Sequence, residues 1–150
     1  MRDPLFVIGL SVLAFLLAMQ PSEANDGKKQ IKPTQTVSGT IDDDALSKLA
    51  PKAGYFTDQK ALEGLWAVWK LKGKTPAIDF TKQIVFVQLA TGGPNVPRAS
   101  YTLDAKGDLT ALSISTLKGG PGFGYSIDVL PRDGIKTYMG KPIENGKEKK

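Results

Sequence analysis

The sequence predicts an α+β domain in which a mostly antiparallel sheet packs against one amphipathic helix, and three observations carry that prediction. A single segment, Asp58 to Leu71, sets apolar residues at helical spacing: Leu62, Leu65, Trp66 and Trp69 fall at i, i+3, i+4 and i+7. From Gln83 onward the chain turns to short runs of β-branched and aromatic residues. Those runs are joined by turns of hairpin length, so the alternation of helix and strand needed for a doubly wound sheet is missing.

Taken in order, residues 25–35 are polar and lysine-rich around Pro33 and read as a flexible leader unable to bury a core. The domain is expected over 36–143. Thr36 to Ile41 alternates β-branched residues as an edge strand does, and Asp42-Asp43-Asp44 offers an acidic cap to a short helix, Ala45 to Leu49, stopped by Pro51. Thr57 is the expected N-cap of the main helix, with Asp58, Lys60, Glu63, Lys70 and Lys72 around its polar side and Gly73 beyond its end. A tryptophan stripe at this spacing is core rather than a platform. Gln83 to Leu89 is nearly continuous in apolar residues, the mark of a central strand covered on both faces. Arg98 to Leu103 and Leu109 to Thr116 form a hairpin through Asp104 to Asp108, where Gly107 suits the left-handed position. Tyr125, Ile127 and Val129 alternate with Ser126 and Asp128 as a half-buried strand that ends at Pro131, and Ile135 to Met139 adds one more. Residues 144–150 read as a flexible basic tail.

The start of the chain has a different character. Arg2 precedes an apolar run from Leu5 to Met19, then Pro21 and Ser22-Glu23-Ala24, the layout of a secretory signal peptide over 1–24. As a helix the run reaches roughly 22 Å, short of the ~30 Å hydrocarbon core. The expectation is export to the periplasm or beyond, cleavage after Ala24, and no membrane span after processing.

Composition narrows the chemistry. Cysteine and histidine are both absent. Their absence excludes a disulfide framework, a thiol nucleophile, the commonest general base and the usual ligands of transition metals. No cofactor or metal is expected. Of 20 basic and 15 acidic side chains, Arg2, Asp3 and Glu23 fall in the leader peptide, so 19 and 13 remain, a net charge of +6. Lys28, Lys29, Lys32, Lys147, Lys149 and Lys150 place much of that excess at the termini, suited to solvation or to an anionic envelope component. Only Arg98 and Arg132 are arginines among those residues, and with export this disfavours nucleic acid.

Several motifs fail on geometry. Gly73-Lys74-Thr75 lacks the earlier glycine of a phosphate loop, since Val68 stands there, and Pro76 follows at once. Ser115-Thr116-Leu117-Lys118 has the Ser-x-x-Lys spelling, but a strand would put Ser115 and Lys118 on opposite faces. The triple aspartate lacks the oxygen-ligand spacing of a calcium loop. Two glycine-rich turns, Thr91 to Asn95 and Gly119 to Gly124, are either plain connections or a mobile rim that presents Asn95, Arg98 and Phe123 to a partner.

The run "LWAVWKLKGKTPAIDFTKQIVFVQLATGG", followed by "YTLDAKGDLTALSIS" and "GYSIDVLPR", resembles the C-terminal domain of the protease-complex subunit PrcB family, small domains of the bacterial envelope. The likeness spans Tyr55 to Arg132, and Pro94-Asn95 after the Gly-Gly turn departs from it. It implies a non-catalytic accessory or binding module and assigns no residue a role. The expected function is therefore an exported, monomeric module that binds an envelope protein or anionic component. Two alternatives stay open: a carboxylate enzyme using Asp79, Asp104, Asp108 or Asp128, with Asp79 desolvated between Ile78 and Phe80, and a structural envelope protein held by its basic tails.

Overall fold

The computed structural model describes residues 27–144; the expected signal peptide over 1–24 and the tail lysines Lys147, Lys149 and Lys150 lie outside the described residues. Strands β1 (Lys29–Ile31) and β2 (Gln35–Ile41) come first, then a 3₁₀ turn (Asp44–Leu49), β3 (Tyr55–Phe56) and helix α1 (Gln59–Val68). There follow β4 (Gln83–Ala90), β5 (Arg98–Leu103), β6 (Asp108–Ile114), β7 (Phe123–Pro131), β8 (Thr137–Tyr138) and β9 (Lys141–Pro142). The fold is α+β and its strand pairings are antiparallel, except that β6 and β8 run parallel.

The strands form two sheets, ordered β1-β5-β6-β8-β9 and β2-β7-β4-β3, which stack with α1 on the outer face of the second. The second sheet is thus a middle layer with a core on each side. Towards α1, Leu62, Trp66 and Trp69 meet Val85, Ile127 and Val129; towards the first sheet, Ile84, Phe86 and Leu130 meet Ile31, Tyr101 and Leu109. β4 and β7 lie at the centre of that layer and are buried through most of their length.

Helix α1 opens on Asp58, not Thr57: the Asp58 carboxylate accepts the Ala61 N–H at 2.8 Å, satisfying one of the free donors of the first turn. It closes at Val68, ahead of Leu71, because Lys70 takes a left-handed φ of 52° and the Leu71 N–H returns to the Trp66 carbonyl. Both tryptophans belong to the core, and the Trp69 indole N–H donates to the Leu46 carbonyl at 2.9 Å, tying the 3₁₀ turn to the helix. Asp43 caps that turn by accepting the Ala45 N–H, which accounts for one of the three consecutive aspartates.

Two readings of the sequence need correction. Residues 29–31 are not a flexible leader, since β1 pairs with β5 and sets the buried Ile31 opposite Tyr101. A three-residue strand is specified by the edge it completes, not by a pattern of its own. β7 is also not half-buried, because Ser126 and Asp128 face the first sheet while Ile127 and Val129 face α1. The hairpin between β5 and β6 forms as expected, with Gly107 at φ 91°.

Candidate functional site: a cleft between the two sheets

Along the face of the middle sheet that looks toward the first sheet, the side chains change from apolar to polar. Ile84 pairs with Leu130 and Phe86 with Asp128; Thr36 then lies beside Asp128, and Ser38 beside Ser126. Only the apolar end is closed over. β1 stops at Ile31 and the chain crosses at Pro33 into the other sheet as β2, leaving a cleft of about 960 Å³ above the polar end. Pro33, Thr36, Ser38, Ser126 and Asp128 line one side. Pro97, Arg98 and Ala99 at the start of β5 line the other, with Ile114, Ser115, Thr116 and Lys118 after β6 and with Pro94 and Val96 from the turn before β5.

Asp128 organises the floor. One carboxylate oxygen accepts the Thr36 hydroxyl at 2.7 Å and the Ser126 hydroxyl at 3.0 Å, and the other accepts the Tyr101 hydroxyl at 2.8 Å. A buried carboxylate is tolerated only when its lone pairs are so filled. Burial, reinforced by the negative charge of Asp128, pushes the Tyr101 phenol well above its ordinary range, so it remains a donor at physiological pH. The three donors come from β2, β5 and β7, so the same network joins the two sheets beneath the cleft.

Of the three residues expected on a mobile rim, two are buried and one is exposed. Asn95 is only 3% exposed: its amide donates to the Lys118 carbonyl, and its oxygen accepts the Lys118 N–H and the Thr116 hydroxyl, all within 3.0 Å. It is a clamp inside the protein, its side chain bonded to the segment after β6 and not presented on a rim. Phe123 begins β7 in the core, its ring 5.4 Å from that of Trp69, so it is no exposed anchor. Arg98 is exposed and lines the cleft. Two glycines of these turns serve close packing: a Cβ on Gly93 would overlap the Lys118 carbonyl, and one on Gly124 the Asn95 carbonyl.

The Ser-x-x-Lys segment is corrected as well. β6 ends at Ile114, and Ser115 and Lys118 both line the cleft. Arg98 and Lys118 are both exposed residues of the cleft lining, and among the described residues neither forms an ion pair. Val96 and Ile114 add apolar surface to the same wall, 39% and 65% exposed.

The other aspartates have structural tasks. Asp79 is exposed and accepts the Thr81 hydroxyl and N–H, which hold its carboxyl below the usual range, the opposite of the desolvated, raised state. Asp104 closes the β5–β6 hairpin by accepting the Asp108 and Lys106 N–H groups, and the Asp108 bond chiefly lowers its pKa. Asp108 accepts the Gly140 N–H and the Thr137 hydroxyl, securing β8. Among the described residues Asp128 is the only carboxylate lining the cleft, and none of them supplies it with a second for general acid and base work. Among the described residues no group of three or more carboxylates is placed to hold a metal ion.

The polar floor was visible in the sequence only as Thr36-x-Ser38 and Ser126-x-Asp128, an alternation that ordinarily marks a solvated strand face. No family model, curated protein or solved structure matches this chain.

Proposed function

We propose that the protein is a non-catalytic binding module of the bacterial envelope that holds its ligand in the cleft between its two sheets. One observation carries the reading: a concave surface is lined by Arg98 and Lys118, neither ion-paired among the described residues, and its one carboxylate among those residues, Asp128, is already occupied by three hydroxyl donors. Such a site supplies attraction for anionic groups, apolar walls at Val96 and Ile114, and free hydroxyls at Ser38 and Ser115. It holds no acid and base pair to drive a reaction. Export rests on the N-terminal pattern, and the lysines near both ends of the chain would hasten encounter with an anionic envelope partner.

The test is capture from envelope extract by immobilised protein. Ser38→Trp fills the cleft from an exposed strand position and is expected to reduce captured ligand by roughly tenfold or more, equivalent to about 1.4 kcal/mol. Arg98→Glu should have a similar effect, whereas removing residues 147–150 should matter little beyond changing the salt dependence. A folded Ser38→Trp variant that captures at wild-type strength overturns the assignment of the cleft.

A further inference from the structure

We propose that the ligand enters as an extended acidic peptide segment, added as a strand along β2, an inference that rests on the cleft being the binding site. Each sheet ends in two edge strands, whose outward backbone groups invite another chain unless something blunts them. β3 and β9 are two residues long, and β9 consists of Lys141 and Pro142. β1 is three residues long, contains Lys29 and is followed by Lys32 and Pro33. β2 has none of these protections. It runs seven residues in unbroken register with β7, carries no charge and no proline, and has no strand on its outer side among the described residues.

A second uncovered edge lies across the cleft. β1 pairs only with Tyr101 to Leu103, so Arg98, Ala99 and Ser100 of β5 have β6 on one side and, among the described residues, no strand on the other. An extended chain lying in the cleft would run beside β2 with its amides available for pairing. Alternate side chains of that added strand would point towards the wall bearing Arg98 and Lys118, and a carboxylate on those residues complements the two cations. The occupant is therefore a segment of another protein. A second copy of this chain would offer β2 itself, Gln35–Ile41, which has no acidic residue, and residues 147–150 of this chain are mostly lysine.

The experiment uses isotopically labelled protein and three synthetic ten-residue peptides: alternating Thr-Glu, alternating Thr-Lys, and Thr-Glu with every second amide N-methylated. The Thr-Glu peptide is expected to shift the amide resonances of residues 36–41 and 98–100, slow hydrogen exchange along β2, and bind at least about tenfold more tightly than Thr-Lys. The Arg98→Glu, Lys118→Glu double variant should reverse that preference. N-methylation should abolish binding, because it removes the backbone donors of the added strand. If the N-methylated peptide binds as well as its parent, strand addition is wrong while the cleft remains the site. Failure of all three peptides, with envelope ligand still lost in Ser38→Trp, overturns the peptide class alone. Concentration-dependent dimerisation that protects β2 without any peptide would assign the edge to a second copy and overturn the inference.

Discussion

Asn95 shows how a residue chosen for its exposed chemistry can be buried and hydrogen-bonded inside the protein. Its side chain makes three hydrogen bonds to the segment after β6, and the Gly93 and Gly124 backbones approach closely on either side of it. Removing the amide leaves the N–H and carbonyl of Lys118 without their partner in a tight site. Asn95→Ala is expected to cost about 1–3 kcal/mol, the penalty for orphaned polar groups. Hydrogen exchange should quicken first at Lys118, whose N–H the side chain now holds. Unchanged protection at Lys118 would show that the clamp is not what orders this wall of the cleft. Arg98 behaves differently: among the described residues none pairs with its charge, so its substitution should alter ligand capture and leave stability nearly untouched.

At the scale of elements, α1 is held less by its own propensity than by the face it buries. Trp69 is 3% exposed, touches the rings of Phe123 and Tyr125, and anchors the 3₁₀ turn through its indole N–H. Trp69→Ala therefore removes a large apolar contact and a hydrogen bond together, and a loss of about 3–5 kcal/mol is expected in urea unfolding. Val68, one position earlier, is 44% exposed, and Val68→Ala should stay within about 0.5 kcal/mol of wild type. Equal costs for the two substitutions would contradict the burial pattern of the helix. The strands follow the same logic. β7 is stable as a central strand because α1 covers one face, and the first sheet together with the Asp128 network serves the other.

For the molecule as a whole, the buried phenols tie stability to alkaline pH. Tyr101 titrates near 10.0 when unperturbed and well above that in the folded protein; burial raises Tyr125 too. Above pH 10 the unfolded chain releases these protons while the folded chain keeps them, so the unfolded state binds fewer protons and stability falls as pH rises. The stabilising contribution is fully present below pH 10. Wild type should lose up to about 1.4 kcal/mol per pH unit through Tyr101 in this range. Tyr101→Phe is less stable at neutral pH, having lost a donor to Asp128, but its alkaline slope should be shallower by that amount. Parallel slopes for the two proteins would show that Tyr101 ionises as freely folded as unfolded.

Local periodicity was enough to foretell the α+β class, α1 with its tryptophan face, β2, β4, the β5–β6 hairpin and the capping role of the aspartates before the 3₁₀ turn. Each of those features is written in residues that lie within one or two turns of each other, where spacing reports directly which side is apolar. The site was legible only at Arg98 and, among the alternatives, at Asp128. Nothing local could reveal that the strands divide into two sheets, that Ile31 completes an edge, or that Ser126 and Asp128 face a covering layer. Those facts depend on partners far away in the chain: Asp128 meets Tyr101 across 27 positions and Thr36 across 92. Polar alternation looks the same whether water or another sheet lies opposite it. The cleft exists because β1 ends where the chain changes sheets, and only the assembled layers settle what that gap exposes.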